Sequence, residues 1–259
     1  MSKFNPSNLK VFNFNASRIS SLRRMRSVQS IFESFDSDII SIQEIDINGA
    51  ITIFSSKYHV FVNPGENSSD GIGIVTLVRK RFIVEDFVVG GQGRILGVRL
   101  GDLQIWNVYP KSGTNNKSIR EKFLRETLLD HLSLWSGRTR FTLIGGDFNC
   151  TNRLIDSLNH QQVHYSPGLV YLMSELNLKD DFVSLHNNRV EFSRVSGGSS
   201  TRIDFIISNA ADTCQVFEYK VLGGFDHKAV YAEYSISLGT ARAEVPRERR
   251  ADQLVFSRE

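Results

Sequence analysis

Apolar residues in this chain come mostly in short runs rich in Val, Ile, Phe and Tyr, cut by Gly, Asn and Asp. Such runs read as strands. The pattern predicts them over residues 9–14, 39–42, 58–62, 72–78, 82–89, 95–100, 103–109, 142–144, 203–208, 215–221 and 229–236. Leu100-Gly101-Asp102-Leu103 is a hairpin signal between two of them. Helical spacing interrupts the strands three times. Residues 18–35 set Ile19, Leu22, Val28, Ile31, Phe32 and Phe35 near one stripe. Residues 118–135 do so more clearly, with Phe123, Leu124, Leu128 and Leu132, and with Ser118 and Glu121 as a capping box. Residues 167–176 form the third, with Pro167 in the first turn. Many strands with intermittent helices predict an α/β fold of two packed sheets flanked by helices.

Composition narrows this only a little. The chain has 259 residues, 41% hydrophobic and 23% charged, enough for a substantial core. A net charge of +3 permits a polyanionic partner without requiring one. Two cysteines, Cys150 and Cys214, stand far apart and do not suggest a disulfide framework. Residues 1–10 hold no apolar core of signal-peptide length, and no run reaches the length of a transmembrane helix. An intracellular protein, nuclear or cytoplasmic and not attached to a membrane, is the expectation. The composition shifts near Gly239. Residues 1–239 read as one domain, and 240–259 as a charged tail or linker.

The chemistry gathers where predicted strands end. The run 141–149 closes on Gly145-Gly146-Asp147-Phe148-Asn149, a carboxylate and a carboxamide two residues apart at the carboxyl end of a core strand. Such ends commonly face ligands in α/β proteins, although Asp-x-Asn also makes plain turns. The first strand runs into Asn13 and Asn15, either of which suits a metal-bound group or a helix cap. Residues 39–44 end in Gln43-Glu44, where a carboxylate is a hard oxygen ligand for Mg²⁺ or a surface glutamate. Tyr109 precedes Pro110 after another apolar strand, and aims its hydroxyl into a cleft or is a core residue with a hydrogen-bonded tip. Asp204 sits inside an apolar strand and needs a partner there. Arg202 is too near in sequence to share its face readily. His227, preceded by Asp226 and followed by a strand, is the natural partner, since an Asp that orients a His raises its proton affinity. His131 lies in a helical stripe and reads as structural.

The ordered series Asn13, Gln43-Glu44, Tyr109-Pro110, Gly146-Asp147-Phe148-Asn149, Arg202-Ile203-Asp204 and Asp226-His227 resembles the endonuclease/exonuclease/phosphatase superfamily. The likeness spans residues 9–236. It implies a four-layer α/β sandwich of the deoxyribonuclease I kind, with two mostly antiparallel sheets face to face, helices outside and one site at the mouth between the sheets. It further implies a divalent metal, Mg²⁺ with Mn²⁺ as the alternative, held by Glu44 with Asn13 and Asp226 near it. Asp147 would orient or deprotonate the attacking water, and Asn149 would help hold the phosphate or that Asp. His227, held by Asp204, would stabilise the phosphorus in transit, and Tyr109 would touch the phosphate. The reaction implied is in-line phosphodiester hydrolysis.

Within the superfamily, Asn107-Val108-Tyr109-Pro110-Lys111-Ser112-Gly113 and Gly146–Cys150 with Arg153-Leu154-Ile155-Asp156 look like the apurinic-like endonuclease domain of non-LTR (LINE-type) retrotransposons. Those domains nick one DNA strand and leave a 3′-hydroxyl that primes reverse transcription, which makes DNA the expected substrate and a fused reverse transcriptase the expected neighbour. Two positions depart from the wider family. Phe225 stands where Ser usually precedes the final Asp-His. Gly197-Gly198-Ser199-Ser200 stands where abasic-site repair enzymes carry an aromatic residue. Arg18, Arg23, Lys111, Arg194 and Ser199 are the candidate DNA contacts, each equally readable as a solvated surface residue. A phosphoesterase acting on abasic-site DNA or inositol phosphates, and a catalytically dead binding module, are the competing readings.

Overall fold

The computed structural model describes residues 8–65, 70–187, 189–236 and 255–256. Its strands are β1 (Leu9–Ile19), β2 (Ile39–Asp46), β3 (Tyr58–Pro64), β4 (Ile72–Arg79), β5 (Asp86–Gly90), β6 (Ile95–Leu100), β7 (Leu103–Val108), β8 (Phe141–Asp147), β9 (Lys179–Asp180), β10 (Arg194–Ser196), β11 (Ser199–Thr201), β12 (Asp204–Ser208), β13 (Cys214–Val221), β14 (Lys228–Tyr234) and β15 (Val255–Phe256). The helices are α1 (Leu22–Ser34), α2 (Ile47–Phe54), α3 (Lys117–Lys122), α4 (Leu129–Ser133), α5 (Pro167–Glu175) and α6 (Asp181–His186). One sheet runs β13-β14-β1-β2-β4-β3-β15, the other β5-β6-β7-β8-β12-β9, and β10-β11 is a separate hairpin. Among the described strands, only β1–β2 and β7–β8 pair in parallel.

The side-chain period of two explains the four layers. Leu9, Val11, Ile39 and Ile74 of the first sheet meet Leu96, Val98, Leu103, Ile105, Leu143 and Ile206 of the second. Alternate residues Phe12, Phe14, Ile40 and Ile42 face Met25, Val28 and Phe32 of α1 and Ile53 and Phe54 of α2. On the far side, Trp106, Val108, Ile144, Phe205 and Ile207 pack on Leu124, Leu132, Leu169 and Leu172 of the other helical layer. The expected sandwich, with mostly antiparallel sheets and helices outside, is therefore present.

The same alternation builds the site. The face that carries Val11, Ile105, Leu143 and Ile206 continues into Asn13 and Asn15, Asn107 and Tyr109, Asp147, and Asp204. The apolar layer between the sheets thus turns polar at one end. Antiparallel pairing of β8 with β12 sets Asp204 directly opposite Asp147.

Several elements differ from the sequence expectation. α1 begins at Leu22, not residue 18, because β1 continues through an irregular stretch with Ser17 and Arg18 at φ +47° and +58°. The helix expected at 118–135 is present as α3, a π-helical stretch (Phe123–Leu128) and α4. Its expected capping box does not form. Asn116 is the N-cap, and Glu121 accepts a hydrogen bond from Gly168 N in the first turn of α5 instead. α2 and α6 were not anticipated. Each is started by an aspartate N-cap, Asp46 on Gly49 N at 2.9 Å and Asp180 on Val183 N at 3.3 Å. Both cysteines are buried and free. Among the described residues no helix is long and apolar enough to cross a membrane. Most of the tail expected past residue 239 lies outside the described residues; the described part, β15, pairs antiparallel with β3.

Candidate active site

Glu44 should share the helix-facing side of β2 with Ile40 and Ile42. A register break between Ile42 and Ile45, with Glu44 at φ +53°, turns it instead toward the mouth between the sheets. A non-glycine residue in this region carries roughly 1–3 kcal/mol of strain, which the surrounding sheet must hold. The Glu44 carboxylate accepts a hydrogen bond from the Tyr109 hydroxyl, and Asn15 Nδ2 lies 3.5 Å from Glu44 Oε1. Burial and the Asp147 and Glu44 carboxylates push the Tyr109 pKa far up, so the hydroxyl keeps its proton and stays a donor.

Asp147 ends β8 and is buried. Its Oδ2 accepts Asn15 Nδ2 at 2.8 Å, and its Oδ1 accepts the backbone N–H of Asn149 at 2.9 Å. Burial and the facing Asp204 charge push its pKa up to about 7, against the pull of His227 and these hydrogen bonds. His227 Nε2 lies 3.9 Å from Asp147 Oδ2, and His227 Nδ1 lies 2.9 Å from Asp204 Oδ2. Burial alone would lower the His227 pKa, but the Asp204 carboxylate outweighs it and holds the imidazole at about 9. Asp204 also accepts Ser193 Oγ at 2.6 Å. Its expected pairing with His227 is thus present, while Arg202 turns the other way, onto Asp156 and Asp180.

The other sequence candidates fall in several places. Asn13 is fully buried below the site, with Oδ1 accepting Gln43 Nε2 at 2.9 Å; Gln43 also donates to Asn107 Oδ1 at 2.8 Å. Asn15, weighed beside Asn13 in the sequence, is the residue that reaches both Asp147 and Glu44. The Asn149 side chain donates to Pro110 O at 3.0 Å, so only its backbone touches Asp147. Asp226 faces Ser17 Oγ (2.6 Å) and Arg194 Nε (3.4 Å) rather than Glu44. Arg18 pairs with Asp70 at 3.0 Å at a cleft of about 330 Å³ that is also lined by Glu44, Arg94 and Tyr109. Arg23 is exposed on α1. Lys111 lies on a segment held by Arg120 Nη1 through the Lys111 carbonyl, at 2.9 Å. Ser199 begins β11 in the hairpin that carries Arg194, and Gly197 and Gly198 make its turn with φ +56° and +77°.

These donors fit a hard divalent cation. The Glu44 and Asp147 carboxylates converge on a single neutral amide, that of Asn15, and among the described residues no basic side chain pairs with Glu44. Two converging anions bridged by an uncharged donor are stabilised by a cation between them. Ligand atoms of Asp147, Asp204 and His227 also lie within 4.8 Å of one another. His227 holds a proton at neutral pH and donates to Asp204, however, so the Glu44 side is the better cradle.

A buried histidinium aimed at a carboxylate, in the mouth of a stacked pair of sheets and beside a cation cradle, is equipment for cleaving phosphoesters. The family model described as endonuclease/exonuclease/phosphatase matches residues 8–224, and the chain belongs to that family of metal-dependent phosphoester hydrolases. Comparison with curated protein sequences gives no match. Among solved structures, an AP endonuclease from Archaeoglobus fulgidus is similar at 19% identity and TM-score 0.69, over 88% of this chain and 100% of that one. The 3′-5′ exonuclease NExo of Neisseria meningitidis is similar at 19% identity and TM-score 0.70, over 87% and 99%. Truncated Caenorhabditis elegans TDP2 follows at 19% identity and TM-score 0.63, over 88% and 97%. At these identities the likeness is one of fold.

Proposed function

We propose that the chain is a divalent-metal-dependent DNA endonuclease that nicks one strand by phosphodiester hydrolysis and leaves a 3′-hydroxyl. The observation that carries the reading is the placing of Asp147 between histidinium and cation cradle, with His227 on one side and Asn15 and Glu44 on the other. Asp147, with its pKa near neutrality, takes a proton from water as the water attacks phosphorus. His227, charged and locked by Asp204, donates to a non-bridging phosphoryl oxygen as negative charge builds there. Tyr109, which keeps its proton, donates a hydrogen bond to the same phosphoryl group. Glu44, oriented by the Asn15 amide N–H, would hold Mg²⁺ or Mn²⁺, which would neutralise charge on the phosphate and on the leaving 3′ oxygen; that oxygen takes its proton from solvent.

DNA as substrate is supported by Arg18, Arg23, Lys111 and Arg194 on elements that border the site, and by the exposed Gly-Ser hairpin tip. The retrotransposon role, with target-primed reverse transcription and a fused reverse transcriptase, rests on the likeness of residues 107–113, 146–150 and 153–156 to LINE-type endonuclease domains. A catalytic domain spanning 1–239, a charged tail or linker over 240–259 and a nuclear or cytoplasmic location belong to the same reading. The second reading, cleavage at abasic sites or at 3′ ends, is supported by the fold likeness to the AP endonuclease and to the Neisseria 3′ phosphatase NExo bound to product DNA hairpin.

Incubation with supercoiled plasmid and Mg²⁺, followed by polymerase extension from the nicks, tests this. Open circles whose ends extend without prior trimming are expected. An abasic-site oligonucleotide cut far faster than intact DNA would favour repair. Phosphate release from an inositol phosphate without nicking would overturn DNA as substrate.

A further inference from the structure

The loop between β13 and β14 carries His227, and its other residues are tied down on three sides. Asp226 Oδ1 accepts Ser17 Oγ at 2.6 Å. Val195 N donates to Asp226 O at 3.2 Å, and Lys228 N to Ser193 O at 2.7 Å. The third tie is made by Phe225. Its ring points away from the site and meets Phe14 edge-on, with centroids 4.9 Å apart. The Arg24 guanidinium covers the ring at 4.5 Å, while Arg24 Nη2 donates to Gly224 O at 2.8 Å. Phe14 is fully buried in β1, one residue before the Asn15 that holds Asp147. Gly224 has φ +83°, so the loop turns sharply just before the ring.

We propose that Arg24 and Phe225 are positioning residues that clamp the His227 loop onto β1 and α1, so that β1 sets the spacing between His227 and Asp147. This rests on the phosphoesterase reading of the site. Two residues gain a role. Arg24, beside the DNA-contact candidate Arg23 on α1, is occupied with the loop. Phe225, where the family usually has Ser, is an anchor rather than a gap in the site. A cation held over an aromatic face and a hydrogen bond from the same guanidinium act together, and their loss frees the loop by about tenfold.

Native-state amide exchange on the free protein tests the clamp without requiring activity. Arg24 is exposed, so Arg24→Ala will fold. The expected result is a roughly tenfold loss of protection at the Lys228 amide in Arg24→Ala and a larger loss in Phe225→Ala, with protection in the centre of β2 unchanged. Phe225→Tyr should keep protection and Phe225→Ser should not. In parallel, nicking by Arg24→Ala should show a lower kcat with unchanged KM and an unchanged salt dependence. Unchanged protection at Lys228 in Arg24→Ala overturns the clamp. So does a raised KM with a salt slope shallower by about one, which is the behaviour of a phosphate contact. A parent chain that nicks nothing counts against the DNA reading alone, and the exchange result still decides the clamp.

Discussion

His227 Nδ1 lies 2.9 Å from Asp204 Oδ2, with side chains only 6% and 0% exposed, so the proton between them is shielded from water. Because the folded pKa of about 9 exceeds the ordinary value of 6.5, the pair's contribution to stability is fully present below about pH 6.5 and is lost as pH rises through about 9. Activity needs His227 charged and Asp147 ionised. kcat/KM should therefore rise with pH through about 7 and fall through about 9. Added Mg²⁺ should move the acid limb lower, because a cation near Glu44 favours the Asp147 carboxylate. Asp204→Asn should move the basic limb to lower pH. A basic limb that stays in place in that variant would assign it to another group.

Gly145 and Gly146 are adjacent in β8 yet differ in what they tolerate. A Cβ on Gly146 would lie 2.1 Å from Val108 O and 2.7 Å from Val108 Cγ2 on the paired strand β7. On Gly145 the nearest atoms, those of Asn13, are 3.5 Å away. Gly146→Ala should cost about 1–3 kcal/mol and lower kcat, since β8 must shift and Asp147 moves with it. Gly145→Ala should change stability by less than about 1 kcal/mol. Urea unfolding of both variants reads the difference.

Arg202 is fully buried, and its guanidinium joins Asp156 and Asp180, 2.8 Å from Asp156 Oδ2. The ring faces of Phe182 and Phe205 lie 5.2 and 4.5 Å from its charge centre. Arg202→Met leaves buried Asp180 without its cation and Asp156 with Arg153 alone, and should cost about 3–5 kcal/mol by urea unfolding. The Asp156→Asn, Asp180→Asn, Arg202→Met triple variant should recover part of that loss.

Asp181 is buried on hydroxyl partners, Ser208 and Tyr234, and burial pushes its pKa up to about 8. A raised carboxyl pKa means that stability falls as pH rises from about 4 through about 8. Asp181→Asn should flatten that slope in unfolding free energies measured from pH 4 to 9.

The strand ends were legible because the period of two carries Asp147 and Asp204 onto the face between the sheets, whatever the details of the loops. The partnership of Asp204 with His227 was legible for a chemical reason: a buried carboxylate needs a donor, and one histidine stood beside a strand. Other features depended on three-dimensional detail. Glu44 reaches the mouth only through the positive φ at its own position, which no alternation pattern announces. The choice of Asn15 over Asn13 turns on which asparagine lies nearer the mouth on one face of β1. Glu121 looked like part of its own helix's cap and serves α5 instead, a contact 47 residues away. Phe225 read only as a departure from the family's usual Ser, because its direction, toward Phe14 and Arg24, is set by the Gly224 turn. α2 was hidden because Ile47, Ile51 and Ile53 are β-branched, and burial against α1 and β3 overrides that preference.

Single-turnover nicking of supercoiled plasmid in Mg²⁺, with the parent beside Glu44→Ala, Asp147→Asn and His227→Ala, tests the central claim most directly. The parent should convert supercoil to open circle, and each variant should be slower by about 10²-fold or more. Nicking at parental rate by any of the three would contradict the assignment of that residue, and equal rates in all four proteins would contradict the site itself.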